Sequence, residues 1–345
     1  MVAGPACADT LRVATYNADL TRNGPGLLLR DIRSGQDPQI AAVQQVITTL
    51  DADILVLTAV DYDLNLVALN TFADQLASAG VAYPHRFALR PNTGMPTGFD
   101  IDGNGYLGDA RDAMGFGMFN GQAGIAILSR LPIDSGQVRD FSDFLWRDLP
   151  GALLPAAMPP EQRDHQRLST TAHWEVPVTL PGGTTLRLLT WYATPPIFDG
   201  PEDRNGKRNH DETAFWARLM DGALPYPAPA KPFVVIGDAN LDPVDGDGLT
   251  DGIQALLHHP MLQEVNPRAT HAQDDPAQHG DPALDTADYT TDAGPGALRV
   301  DYALPDATLD IVASGTLWPP DSDPLAQTLQ TASRHRPVWV DLAVP

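Results

Sequence analysis

The sequence predicts an α/β protein in which two packed sheets are flanked by helices. Apolar runs typical of buried strands recur along all 345 residues. Segments with apolar residues at helical spacing lie between several of these runs. This mixture of strand pairs and helices is typical of a layered domain with a sheet-on-sheet core. The runs cover residues 11–16, 54–58, 124–128, 185–191, 233–236 and 300–304.

Four helices are predicted between these strands. Residues 40–50 and 66–79 carry apolar side chains at helical spacing, and residues 252–258 form a shorter example. A fourth helix, residues 213–224, follows a polar stretch whose acidic residues favour a helix N-terminus. The sequence shows no internal repeat, and we expect one domain over residues 11–345, since enzymes of this length often form a single core.

The strong acidity of the chain limits its partners. Its formal net charge is -22, and its only lysines are Lys207 and Lys231. Because nucleic acid binding relies on basic side chains, we expect a small-molecule partner and no nucleic acid.

The N-terminus carries little structural information but suggests a location. Cys7 is the only cysteine, which excludes an intramolecular disulfide. No apolar run reaches the roughly 18 residues of a membrane span. Residues 1–10 are small and alanine-rich, which indicates either the remnant of a cleaved export signal or a frayed cytosolic terminus. We expect the first, and therefore a secreted or periplasmic protein.

Polar side chains end several of the predicted strands. The fragment FVVIGDAN places Asp238 and Asn240 directly after four apolar residues, and Asn17 ends the run LRVATYN. Asp301 lies in LRVDYAL, and His335 lies in SRHRPVWVDL near the C-terminus. Polar groups spread so widely along the chain can meet only in a folded cleft, so we expect these five residues in one pocket.

The order of these pieces resembles the endonuclease/exonuclease/phosphatase superfamily, which includes deoxyribonuclease I, apurinic endonucleases, neutral sphingomyelinases and inositol polyphosphate phosphatases. The resemblance extends over residues 11–342 and includes ADILVLTAVDYD, GQAGIAILSRLPI, RLSTTAHWEVPV and LRLLTWYATPP. The run TPPIFDGPEDRNGKRNHDE is similar to a bacterial, exported subgroup. The resemblance implies a four-layered α/β/β/α sandwich of two mixed sheets, a monomer, and metal-dependent phosphoester hydrolysis.

The resemblance also implies roles for the clustered polar residues. Asp238 would orient or activate the attacking water, while Asn17 and Asn240 would contact metal or phosphate. Asp301 would support the catalytic histidine, His335. Carboxylate and amide oxygens are ligands that Mg²⁺ prefers, so Mg²⁺ or Mn²⁺ is the expected cofactor of the cleft.

The chain departs from the superfamily pattern at three places. The usual Gln-Glu pair that ends the second strand is Thr58-Ala59 here, so the metal-binding Glu is absent. Tyr192 takes the place of a phosphate-contacting histidine, and Arg334 takes the place of the Asp in the terminal Ser-Asp-His motif.

Two interpretations of these departures remain open. In the first, the site is rebuilt: Asp61 or Asp63 supplies the metal carboxylate, Tyr192 donates a hydrogen bond and Arg334 binds the phosphate. In the second, the fold is retained without hydrolysis, and the protein binds a ligand or partner. We favour hydrolysis of a small or medium phosphoester; a nuclease ranks third because of the charge.

Further substrate contacts are predicted beside the central strand. Arg204, Asn209 and His210 lie in a polar stretch that follows this strand, although a solvated helix start explains them equally well. His173 precedes the central strand and would either line the cleft or pack in the core.

A second metal site is predicted in a glycine-rich loop. The stretch DIDGNGY has oxygen-bearing residues at the first, third and fifth positions and glycine at the sixth, as at the start of a calcium loop. The twelfth position is Arg111, so Asp109 or Asp112 would close the site. The alternative is an acidic glycine turn without Ca²⁺. The predicted ligands are Asp100, Asp102, Asn104, Tyr106, Asp109 and Asp112.

Three long loops complete the sequence-based description. They cover residues 91–120, 144–167 and 267–296, and loops of this length are usually functional or mobile. We expect them to form the walls of the cleft.

Overall fold

The computed structural model describes residues 10–271, 276–290 and 294–343. The predicted export-signal remnant therefore lies outside the described residues, except for Thr10, which begins the first strand.

The chain forms thirteen strands and seven α-helices within the described residues. The strands are β1 Thr10–Leu20, β2 Ile54–Val60, β3 His85–Phe87, β4 Gly124–Ser129, β5 Arg139–Asp140, β6 Ala172–Thr179, β7 Thr185–Tyr192, β8 Phe233–Asp238, β9 Ala287–Asp288, β10 Ala297–Leu298, β11 Asp301–Pro305, β12 Ile311–Thr316 and β13 Val338–Ala343. The helices are α1 Leu27–Ser34, α2 Pro38–Leu50, α3 Val67–Ser78, α4 Pro160–Arg163, α5 Arg204–Met220, α6 Asp251–Leu257 and α7 Pro324–Ala332.

The strands form two large mixed sheets and a short ribbon. The first sheet has the order β12-β13-β1-β2-β4-β3, and the second has the order β11-β8-β7-β6-β5. Each contains one parallel pair, β1 with β2 and β7 with β8, and all their other pairs are antiparallel. Strands β9 and β10 form a separate antiparallel ribbon.

Three apolar clusters establish the order of the layers. Residues from both large sheets, such as Val13 and Val234, pack together in the cluster between them. The outer face of the first sheet packs against α1, α2, α3 and α7. The outer face of the second packs against α5 and α6. The predicted α/β/β/α sandwich is confirmed, and burial of apolar side chains on four faces is its main source of stability.

Helix α5 begins nine residues before its predicted start. The stretch from Arg204 to Glu212 is polar, and its sequence therefore predicts the approach to a helix rather than the helix itself. In the structure these side chains satisfy buried groups of neighbouring loops. Arg208 donates to the carbonyls of Leu168 and Ser169, and Glu212 accepts from both the amide and the hydroxyl of Thr170. A polar helix start is stable here because its partners are backbone groups that water cannot reach.

Among the described residues, no helix combines the length and the apolar character needed to cross a membrane.

Candidate active site

Three neighbouring strands bring their polar ends together at one edge of the second sheet. Asp238, at the end of β8, pairs in register with Tyr192 of β7 on one side and with Asp301 of β11 on the other. Asn17 of β1 reaches across from the first sheet and donates its amide to Asp238 Oδ2 at 2.8 Å. The predicted convergence of Asn17, Asp238 and Asp301 is therefore present, and it lies where the two sheets meet.

The first residue of the sequence GDAN, Gly237, must be glycine for steric reasons. This residue has φ 156°, and a Cβ placed there would lie 2.1 Å from the carbonyl oxygen of Trp191, so no other residue fits. Asn240 adopts the left-handed conformation, with φ 48°. Its backbone amide donates to Asp238 Oδ1 at 2.8 Å, and its side chain donates to the carbonyl of Ala193 at 2.9 Å. The turn therefore fixes both oxygens of the fully buried Asp238 carboxylate.

His335 lies against both carboxylates of the cluster. Its Nδ1 is 2.8 Å from Asp301 Oδ2 and 3.9 Å from Asp238 Oδ2. Ser333 connects the histidine to the first sheet, because its hydroxyl accepts from the His335 amide and donates to the carbonyl of Asn17 at 2.7 Å. The five residues predicted from strand ends thus form one connected hydrogen-bonded group, and the Ser of the Ser-Arg-His motif is part of its support.

The electrostatics of this group favour a positively charged imidazole. Burial lowers the pKa of His335, but the negative charges of Asp301 and Asp238 outweigh burial and raise the pKa to about 9. Burial and the charge of Asp301 raise the pKa of Asp238, while His335 opposes that rise. The imidazolium neutralises one of the two carboxylates, so the three groups together keep one negative charge. Asp238 is therefore placed to accept a proton.

The donor set also fits a divalent cation. Asp238 and Asp301 offer carboxylate oxygens, and ligand atoms of these two residues and of His335 lie within 4.8 Å of one another. The imidazole could join this set only after losing a proton. The Oδ1 atom of Asp301 is buried and has no hydrogen-bond partner among the described residues. A buried carboxylate oxygen without a partner is costly, and a cation would satisfy it.

The structure does not bring Asp61 and Asp63 to this cluster, which corrects the prediction that they replace the missing Glu. Asp61 accepts hydrogen bonds from the Thr21 hydroxyl and from the amides of Arg22 and Ala123, so its carboxylate holds two loops together. Asp63 accepts from amides at the start of α3. Neither carboxylate belongs to the cluster of Asp238, Asp301 and His335.

The residues that replace the missing Glu are themselves buried. Thr58 is fully buried, and Ala59 is 4 % exposed and has φ 54°. They occupy an irregularity in the pairing of β2 with its neighbours. Ala59 supplies no ligand atom for a cation.

The other two substituted residues do belong to the site. The Tyr192 phenol faces Asn17 and Asp238, and burial together with the Asp238 charge raises its pKa, so it remains a neutral donor at pH 7. Arg334 is exposed, and its charge acts on Asp19 and on Tyr289, whose hydroxyl lies beside His335.

Four predicted substrate contacts are part of the scaffold instead. Arg204 donates to the side chain of Gln166, and His210 contacts Asp211 in its own helix. Asn209 is fully buried and donates to the carbonyls of Thr194 and Ala239, so it supports the turn beside Asp238. His173 is a core histidine. These side chains are used in contacts within the scaffold and lie outside the Asp238–Asp301–His335 cluster, which corrects the prediction that they bind substrate.

The environment of His173 predicts a pH-dependent stability. Its ring is fully buried between the Ser169 hydroxyl and the Glu212 carbonyl, at 2.6 and 2.8 Å. Burial lowers its pKa from 6.5 to about 4. The unfolded chain takes up this proton at a higher pH than the folded one. Stability that is complete above pH 6.5 is therefore lost as the pH falls toward 4, by about 3 kcal/mol.

Urea unfolding between pH 7 and pH 4 measures this contribution. We expect the wild type to lose more stability over this range than His173→Gln, which lacks the titrating group. Parallel pH profiles for the two proteins would contradict the assignment.

The structure brings together three of the six predicted ligands of the glycine-rich loop. Ligand atoms of Asp100, Asp102 and Asp112 lie within 4.8 Å of one another, and Asp112 is 1 % exposed. Asp112 therefore occupies the closing position. Asp109 is not part of the cluster; its carboxylate accepts from the side chain of Asn104. The oxygen of that Asn104 side chain in turn accepts the amide of Tyr106, whose own side chain is exposed.

Two site residues were not predicted from the sequence. The Thr286 hydroxyl donates to Asp301 Oδ2 at 2.9 Å and accepts the Val300 and Asp301 amides. The Tyr289 hydroxyl lies 3.2 Å from His335 Nε2. Both belong to the predicted wall at residues 267–296, part of which lies outside the described residues. That loop has no periodicity or motif that would have identified them.

Comparison with known proteins agrees with this architecture. The family model described as "Endonuclease/Exonuclease/phosphatase family" matches residues 14–335. None of the curated protein sequences matches the chain. Solved structures with the same fold include an endonuclease/exonuclease/phosphatase from Beutenbergia cavernae, at 18% identity and a TM-score of 0.57 over 97% of this chain and 72% of that one.

Two further structures are similar over almost their whole length. Sphingomyelinase C from Streptomyces griseocarneus is 17% identical, with a TM-score of 0.50 over 96% of this chain and 99% of that one. An endonuclease/exonuclease/phosphatase family protein from Bacteroides thetaiotaomicron is 15% identical, with a TM-score of 0.51 over 98% of both chains.

Proposed function

Since this chain belongs to the endonuclease/exonuclease/phosphatase family, we propose that it hydrolyses phosphate esters. The observation that carries the proposal is the buried Asp301–His335 pair beside Asp238, with Asn17 joining the two sheets at that point. Two carboxylates and an imidazole held this closely are costly to bury unless they act together on a ligand.

The roles of the residues follow from their positions. Asp238, with its raised pKa, takes a proton from the attacking water while Asn17 and the Asn240 amide hold its orientation. The electron pair of that water forms the new bond to phosphorus while the ester P–O bond breaks, and the leaving alcohol takes the bonding electrons and a proton from solvent. His335, kept charged by Asp301, stabilises the negative charge that develops on the phosphoryl oxygens. The neutral Tyr192 phenol donates a further hydrogen bond.

A divalent cation would be held by Asp238 and Asp301 with the amide oxygen of Asn17, and Mg²⁺ or Mn²⁺ suits such oxygen ligands. Bound there, it would supply positive charge for the phosphoryl oxygens. Because Ala59 supplies no carboxylate, we expect weak metal binding, with millimolar concentrations needed for saturation.

The charge of the protein favours a small or medium substrate. With a net charge of -22, the surface repels a long polyanion such as duplex DNA. Arg334, exposed and next to His335 in the chain, carries a guanidinium whose geometry matches a single phosphate group. We therefore propose a small phosphorylated molecule rather than a nucleic acid.

Turnover by the purified protein tests the proposal. The substrates are 4-nitrophenyl phosphate, bis(4-nitrophenyl) phosphate and a DNA duplex, each with Mg²⁺, Mn²⁺ or Ca²⁺ and with EDTA. We expect EDTA-sensitive cleavage of at least one nitrophenyl ester and slow or absent cleavage of DNA. Absence of turnover with all of them would favour the second candidate, a protein that binds a ligand without hydrolysis. The loss of the metal carboxylate at Ala59 is the observation that supports this candidate.

We also propose that the acidic cluster of the glycine-rich loop holds a structural Ca²⁺. The support is the convergence of Asp100, Asp102 and Asp112 from opposite ends of the loop. Three carboxylates at this distance repel one another without a cation.

Calcium binding predicts a shift in thermal stability. Adding Ca²⁺ at 100 times its Kd should stabilise the folded protein by about 2.7 kcal/mol and raise Tm by several degrees. The response should disappear in Asp102→Ala and persist in Asp247→Ala, a control in another Asp-Gly turn. A Tm that ignores both Ca²⁺ and chelators would identify the loop as an acidic turn.

A further inference from the structure

Tyr289 occupies the side of His335 that faces away from Asp301. The Nδ1 atom of His335 is used by Asp301, and the Tyr289 hydroxyl lies 3.2 Å from Nε2. The two rings are perpendicular, at 89°, with centroids 5.9 Å apart. A ligand that approaches the Nε2 side of this histidine therefore meets the Tyr289 hydroxyl.

The position of Tyr289 is fixed by backbone pairing on both sides. Ala287 forms a bridge with His335, and the Asp288 amide donates to the Arg334 carbonyl at 2.9 Å. On the other side, the Tyr289 amide donates to the carbonyl of Gly296 at 3.0 Å. The tyrosine is thus held against the histidine from two directions.

The same segment also supports Asp301. The Thr286 hydroxyl donates to Asp301 Oδ2, the oxygen that His335 contacts, and the Thr286 carbonyl accepts the Arg336 amide at 2.7 Å. Residues 286–289 therefore contact both members of the Asp301–His335 pair. This segment is therefore part of the hydrogen-bonded site. A loop that only limited access to the site would not need these contacts.

A phenol hydroxyl can donate one hydrogen bond and accept others at once. Held at His335 Nε2, the Tyr289 hydroxyl can accept the Nε2–H hydrogen and donate its own hydrogen to an oxygen of a ligand. Arg334, whose charge acts on the Tyr289 phenol, brings a cation to the same side of the cleft. This arrangement suits an anionic oxygen.

We propose that Tyr289 is a catalytic residue that touches the substrate: its hydroxyl binds a phosphoryl oxygen at the Nε2 side of His335. The phosphoryl group is then contacted by two phenols, Tyr192 from the end of β7 and Tyr289 from the segment before the β10 strand. This inference rests on the proposed phosphoesterase function for its kinetic consequence, although binding of inorganic phosphate tests it separately.

The test is Tyr289→Phe, which keeps the ring and removes the hydroxyl. We expect kcat/KM for bis(4-nitrophenyl) phosphate to fall by about 10- to 100-fold, the range of a lost transition-state hydrogen bond. The Kd for inorganic phosphate, measured by calorimetry, should rise several-fold. The matched control is Tyr226→Phe, a half-buried tyrosine packed against Phe141 in the outer cluster, which should change neither value.

The outcomes separate this inference from the function on which it rests. If the wild type turns over substrate and Tyr289→Phe is equally active with unchanged phosphate binding, the inference is overturned and the function stands. If phosphate binding becomes tighter in the variant, the hydroxyl obstructs the histidine, and the inference is also overturned. The wild type could also bind phosphate without turning over substrate. If phosphate binding then weakens in Tyr289→Phe but not in Tyr226→Phe, the binding contact is supported and the hydrolytic function is not.

Discussion

Replacing Asp238 by Asn is expected to lower kcat by about 10²- to 10⁴-fold, the contribution typical of a general base. The amide cannot take the proton of the attacking water, although it keeps the size of the carboxylate. We expect a modest loss of stability, because the substitution removes a buried charge that Asp301 repels but leaves only one acceptor oxygen for the Asn17 and Asn240 donors. Steady-state kinetics with the best nitrophenyl ester, together with Tm, measures both effects.

Asp306→Asn is the matched control for this variant. Asp306 is also fully buried and directly follows the opposite end of β11, about 17 Å from Asp301 along the strand. It accepts amides of Phe233 and Thr308, so its replacement should lower Tm and leave kcat unchanged. An Asp238→Asn protein with wild-type kcat would remove Asp238 from the mechanism.

Replacing His335 by Gln is expected to damage both rate and stability. The imidazolium compensates two buried carboxylates, and breaking a buried ion pair typically costs about 3–5 kcal/mol. The rate should fall by about 10²- to 10⁴-fold, because the cation that stabilises the phosphoryl charge is lost. His258→Gln, on the exposed end of α6, is the control and should match the wild type.

A double variant separates the two effects of His335. Adding Asp301→Asn to His335→Gln removes the carboxylate that the first change leaves unpaired, so part of the lost stability should return while the activity stays low. If activity recovered together with Tm, the role of His335 would be structural rather than catalytic.

The main features of the site follow from sequence because they lie at strand ends. A run of apolar residues that stops at a polar one identifies both the strand and the position where it ends. Asn17, Asp238 and Asp301 are all predicted in this way. Gly237 explains why the pattern is so clear at β8: the approach of the Trp191 carbonyl excludes every side chain.

The incorrect predictions have a common physical cause. Asp61 lies two residues after Ala59, so its sequence position predicts a carboxylate near the missing metal ligand. The direction of its side chain depends instead on hydrogen bonds from Thr21 and Ala123, which lie 40 and 62 residues away. The sequence did not identify Tyr289 for the same reason, since its contact with His335 spans 46 residues and arises from backbone pairing of residues 286–288 with residues 334–336. Side-chain direction at a strand end is a tertiary property.

The Asn17–Asp238 hydrogen bond has a mechanical consequence. It connects the two halves of the sandwich at the reacting carboxylate, and the layer beneath it is filled by apolar side chains of both sheets. Any slippage of one sheet over the other would therefore misalign the proton acceptor before it unfolded the protein. Misplacement by 1 Å can cost about 10²-fold in rate. Enlarging Val13 or Val234, both fully buried in that layer, should therefore lower kcat in addition to the loss of about 1–3 kcal/mol of stability that overpacking a core causes.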